Sequence, residues 1–220
     1  MLKINNEFES AFRMYRKKYY ELNMHMSEYI WTYKEMHTLL KKYLDQMNLA
    51  SSYFQLSFRS MRTSMILWIT KLFDEKESSS LNDFLNFIQA NIRFMSLEYK
   101  MHRTNADQHA YWIRDSKDVS IKDINEHRAK LKSLKPTINK IITLRDKYHA
   151  HLDKAFVRNR KAFLVENKIK WKELEYLPKL CNEIIAFYST AYDGEYRLQA
   201  PINWNDLENL LKPLAEHGIG

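Results

Sequence analysis

Between Met1 and Leu134 the chain has no glycine and no proline, and its 220 residues hold only three glycines, Gly194, Gly218 and Gly220. Tight hairpins draw on residues that accept positive φ, and the loops bounding sheets draw on proline. A chain lacking both over its first half has few means of turning one strand back on another. The fold class it predicts is all-α. At this length about 70% of the unfolded surface can be buried, enough for one large core or two small ones. Neither an internal repeat nor a linker composition interrupts the chain, so residues 1–220 are read as a single all-α domain.

Apolar positions recur at helical spacing. Phe8, Phe12, Tyr15, Tyr19, Leu22 and Met26, followed by Tyr29, Tyr33, Met36, Leu40, Tyr43 and Met47, form one stripe at three- and four-residue steps. This is one very long helix or two in sequence, with Ser27 as a plausible break. Its aromatic and methionine content is more often a packing surface than a stacking platform for nucleotides. Ser52 with Gln55 has capping-box spacing ahead of Phe54, Phe58, Met61, Met65, Trp68 and Leu72, which predicts a core helix ending near Asp74. Glu75 to Ser79 reads as a solvated turn. Ser80 with Asp83 caps the next helix, carrying Phe84, Phe87, Ile88 and Ile92, and a break is expected over residues 104–107. Ser120 with Asp123 caps a helix through Ile121, Ile124, Leu131 and Leu134. Pro136 starts or kinks the helix that follows, Leu174 to Tyr192 forms another with Pro178 in its first turn and Gly194 as its stop, and Asn203 caps a short last one.

The single cysteine, Cys181, excludes an internal disulfide, and its spacing with Leu177, Ile184 and Tyr188 predicts a buried thiol. No apolar run approaches the roughly 18 residues that span a bilayer, and the first residues lack the apolar segment of a signal peptide. No membrane partner is expected, and the expected location is cytoplasmic. Six of the eight histidines are scattered without ligand spacing, so neither a metal nor another cofactor is expected. The absence of a glycine-rich phosphate loop disfavours a nucleoside triphosphatase. A formal charge of +8 favours an anionic partner. Seven of the basic residues, including Lys154, Arg158, Arg160 and Lys161, lie between 154 and 172 against Glu166 alone. A solvated helix face is the commoner explanation of such a cluster, but its place just after the stretch from Leu144 to Asp153 favours an approach path for a polyanion.

Residues suited to chemistry crowd into one stretch, Leu144 to Asp153, reading Leu-Arg-Asp-Lys-Tyr-His-Ala-His-Leu-Asp. Arg145 can hold a phosphate through two parallel hydrogen bonds, and His151 can exchange a proton near neutral pH. Together they suit phosphodiester chemistry without a metal. On an unbroken helix His151 stands about 120° around from Arg145, so the pair converges only through a helix break or a second subunit.

The stretch resembles the signature of the HEPN superfamily, in which an arginine, usually followed by a polar residue, is separated from a histidine by four to six residues, here the five between Arg145 and His151. Arg145-Asp146-Lys147 with Ala150-His151-Leu152-Asp153 is similar to the form found in its abortive-infection branch. So is the helix from Ile66 closing on Leu72-Phe73-Asp74 before a Ser-rich turn. The resemblance covers roughly residues 30 to 190. It implies an HEPN-like bundle with its core at about 30–193, extra helices at both ends, and a homodimer pairing two copies of the motif. It also implies a metal-independent endoribonuclease of a defence or toxin–antitoxin system, with His151 as general acid or base and Arg145 stabilising charge on the phosphorane. Asp146, Tyr148, His149 and Asp153 are supporting candidates, Asp153 either capping the next helix or orienting His151. Lys147, Lys154, Arg158, Arg160 and Lys161 are the RNA-binding candidates. Two other readings stand beside this one. Arg145 can be a structural ion pair with Asp146 or Asp153, and the chain can be a catalytically silent module that dimerises and binds nucleotide, RNA or a nucleotidyltransferase partner, whereas the toxin reading expects an antitoxin as partner.

Overall fold

The computed structural model describes residues 5–78, 80–103, 118–150, 160–194 and 206–218, with the side chains of 148–150, 160 and 161 outside that description. Among the described residues every regular element is helical. The first, α1 (Asn6–Lys42), runs 37 residues, about 55 Å at 1.5 Å per residue. Asn5 caps it by accepting from the Phe8 N–H. Ser27 does not break it. The Ser27 hydroxyl donates to the Asn23 carbonyl one turn back, a bond that lets a serine stay inside a helix.

A short α2 (Leu44–Asn48) turns the chain into α3 (Ser51–Phe73). The expected Ser52 cap is a correction: α3 begins at Ser51 behind Ala50, without a side-chain cap, and Ser52 lies exposed in the first turn. After α3 come α4 (Leu81–Ala90), a 3-10 turn (Ile92–Met95) that takes Ile92 out of α4, and α5 (Leu97–Arg103). Next are α6 (Ile121–Ser133) and α7 (Lys135–Leu144), which has Pro136 in its first turn. A π-helical turn (Arg145–Ala150) follows. The last three helices are α8 (Arg160–Glu166), α9 (Trp171–Asp193) and α10 (Asp206–Glu216). Both other capping boxes form, Ser80 with Asp83 and Ser120 with Asp123. Pro178 is a second correction. Because α9 starts at Trp171, Pro178 lies in the helix interior, buried. Gly194 ends α9 in the left-handed conformation, φ 74°. The breaks expected at 104–107 and at Asn203 fall outside the described residues.

The long α1 packs along both α3 and α9, and the core follows that seam. Phe8, Phe12, Tyr19 and Met26 are buried there, so the front of the aromatic stripe is packing surface. Phe12 meets Tyr192 of α9 with ring centroids 4.2 Å apart, and Arg16 clamps Asp193 through bonds of 2.8 and 2.7 Å. Cys181 is fully buried in α9, and burial pushes its thiol well above the ordinary range. A second apolar cluster at the other end of α1 joins Leu39, Tyr43 and Met47 to Leu211 of α10. No described helix is long and apolar enough to cross a membrane.

Candidate functional site

α7 delivers the arginine. Its apolar positions Ile138 and Ile141 are buried, and half-buried Ile142 and Leu144 pack on the same core, so the helix is anchored up to the residue before Arg145. Arg145 is the C-cap of α7 and opens the π-helical turn. A π turn, with i→i+5 bonds, interrupts α-helical register and is frequent at functional sites. The α-helical register therefore ends at Arg145 itself.

The arginine is held by carboxylates from two directions. Its Nε donates to Asp146 Oδ1 at 2.8 Å. Its Nη1 donates to Asp74 Oδ2 at 3.0 Å and reaches Glu77 Oε1 at 3.5 Å. Asp74 is the C-cap of α3, and the Lys76 N–H donates to its Oδ1 at 3.0 Å, so both carboxylate oxygens are engaged. The Asp146 hydrogen bond first, and then the Asp74 bond and charges, hold the Arg145 guanidinium above its already high usual pKa. Only 20% of the Arg145 side chain is exposed. Beside this cluster, a cleft of about 270 Å³ opens between α3, α4, α6 and α7, with Asp74, Lys76, Asn82, Lys135 and Asn139 among its lining residues.

Of the residues named from sequence, the structure brings Asp146 onto Arg145 and leaves Lys147 exposed on the next position. The backbone of Tyr148 and His149 belongs to the π turn, and their side chains lie outside the described residues. So do His151, Asp153, Lys154 and Arg158. Arg160 and Lys161 begin α8, again without described side chains. Lys168, Lys170 and Lys172 of the same basic stretch are exposed. Among the described residues no group of three or more His, Cys, Asp or Glu is arranged to hold a metal.

Sequence reading gave Asp74 and Glu77 no role in the site. The only signal was the Leu-Phe-Asp ending of α3, noted as part of the resemblance, while Glu77 was read as turn.

The geometry thus has an arginine at a π turn, backed by the aspartate that closes α3. A family model described as AbiU2, of the HEPN type, matches residues 6–216. The chain belongs to the AbiU2 family of HEPN proteins. The match extends beyond the span of 30 to 190 that the resemblance covered, taking in the first turns of α1 and all of α10. No curated protein and no solved structure matches. AbiU2 membership agrees with the all-α architecture and associates the chain with abortive infection.

Proposed function

We propose that this AbiU2 protein is a metal-independent endoribonuclease acting in a defence or toxin–antitoxin setting in the cytoplasm, with Arg145 and His151 as its working pair. The observation that carries the reading is the placement of Arg145. It stands at the mouth of a π turn, its guanidinium fixed from behind by the nearly buried Asp74, with His151 one residue beyond that turn. A pre-positioned guanidinium stabilises the charge that develops on a phosphorane without reorganising at the moment of reaction.

In the proposed reaction the ribose 2′-oxygen attacks the adjacent phosphorus while a histidine takes its proton. The bond from phosphorus to the 5′-oxygen breaks, and that oxygen leaves with a proton, giving a 2′,3′-cyclic phosphate and a free 5′-hydroxyl. His151 serves as base or acid, and pairing two motifs in a homodimer supplies both. Tyr148, His149 and Asp153 line the same segment as supporting groups, and Lys147 with Lys154, Arg158, Arg160 and Lys161 forms the RNA path.

The carboxylates on Arg145 also favour a second reading. An arginine with three acidic partners can be a structural tie, leaving a silent module that dimerises and binds RNA, nucleotide or a nucleotidyltransferase.

Arg145→Ala and His151→Ala, each assayed for RNA cleavage and thermal stability, separate the two. The enzyme reading expects cleavage that persists in EDTA in the parent, and a loss of about 10² to 10⁴ in rate for His151→Ala with the fold intact. Arg145→Ala should lose activity comparably, and His149→Ala should lose less. An inert parent, with both substitutions only lowering the melting temperature, would establish the binding module.

A further inference from the structure

The guanidinium expected to attract a phosphate stands among three carboxylates, so its immediate surroundings carry net negative charge. At contact range an RNA phosphate must compete with these carboxylates for the guanidinium. The three acids, however, are held very differently. Asp74 has a side chain 5% exposed, bonds Nη1 at 3.0 Å, and has its other oxygen tied to the Lys76 N–H. Asp146 neighbours Arg145 in the chain and holds a different atom, Nε. Glu77 reaches Nη1 only at 3.5 Å, the limit of a hydrogen bond, from a side chain 45% exposed. Its departure forfeits only a weak, solvent-screened pair.

We propose that Glu77 is the carboxylate an RNA phosphate displaces from Arg145, and that Asp74 is the positioning residue that keeps the guanidinium in place during the exchange. The proposal rests on the reading of Arg145 as a phosphate ligand. Nη1 carries two N–H groups, so it keeps Asp74 on one and passes from Glu77 to a phosphate oxygen on the other. Glu77 is then an internal competitor of RNA. It lowers affinity in the free protein and keeps the arginine paired until a polyanion arrives. Asp74 acts differently, on the geometry of the bound state.

The test uses the full chain and a 2′-O-methyl RNA oligonucleotide, whose blocked nucleophile separates binding from cleavage. Dissociation constants by fluorescence anisotropy are compared for the parent, Glu77→Gln, Asp74→Asn and Arg145→Ala. Glu77→Gln is expected to bind about two- to fivefold more tightly, the range set by losing an exposed ion pair. Arg145→Ala is expected to bind more weakly. On cleavable RNA, Asp74→Asn should lower kcat by about tenfold or more with KM little changed, because a misplaced guanidinium costs the transition state more than the ground state. Equal or weaker binding by Glu77→Gln, with Arg145→Ala impaired, overturns the exchange and leaves Arg145 as ligand. If the parent and Arg145→Ala bind alike, or not at all, the reading of Arg145 as a phosphate ligand falls and the exchange falls with it. Glu77 is exposed enough for its glutamine variant to fold, so it decides the matter even if Asp74→Asn does not fold.

Discussion

His127 on α6 is buried, its Nδ1 3.1 Å from the Tyr188 hydroxyl and its ring against Phe187. Burial, and then the charge of Lys130, hold its pKa below the usual 6.5, against the opposing pull of Glu183, Asp123 and Glu126. The unfolded chain therefore takes up a proton as pH falls through 6.5 while the folded chain resists it. Stability from neutral His127 is present above that pH and is lost below it. Half-buried His37 is shifted the same way by burial, so it adds to the slope. His127→Gln should lose less stability than the parent between about pH 7 and 5, measured by denaturant midpoints. Equal losses would show that His127 takes up its proton in the folded state without penalty. At this scale the site was only half legible. Arg145 announces itself by a local pattern with His151, whereas Asp74 meets it across 71 positions of sequence, a pairing that only the packing of α3 against α7 creates.

Helix starts were legible where the capping acid bonds back. Ser120 receives the Asp123 N–H at 3.2 Å, and Asp123 accepts from the Ser120 N–H at 2.8 Å. The Ser120 hydroxyl bond is the leading reason that the Asp123 carboxyl lies below its usual range. Ser52 with Gln55 has the same spacing without forming a cap, because α2 runs into α3 almost directly and Ala50 takes the N-cap place. Tertiary continuity overrode the local signal there, as it did at Ser27, where packing of α1 against α3 and α9 carries the helix through. Substitution should reproduce the distinction. Ser120→Ala should cost about 1 kcal/mol of unfolding free energy, and Ser52→Ala should stay within about 0.5 kcal/mol of the parent. Equal effects in calorimetry would mean that the α6 box contributes nothing.

For the whole molecule, the scarcity of glycine made the fold class legible, since tight hairpins need residues of positive φ far more than helix connections do. The subunit arrangement was not, because nothing in one chain's periodicity states what lies against Arg145 from outside. The proposed homodimer predicts a mass of two chains in light scattering at micromolar concentration, and a monomer would leave each Arg145/His151 pair to work alone. The formal charge of +8 favours an anionic partner, which makes the proposed RNA path testable by salt. If the segment from 154 to 172 tracks a backbone, each phosphate neutralised releases counterions, and log affinity should fall with log salt by about 0.7 per contact on single strands. Neutralising Arg158, Arg160 and Lys161 together should flatten that slope by about two units if each meets its own phosphate. Glu77→Gln should not flatten it, because that variant keeps every cation that meets a phosphate. Salt slopes thus distinguish the long-range path from the local exchange. A triple variant with the parent's slope would return the basic stretch to an ordinary solvated face.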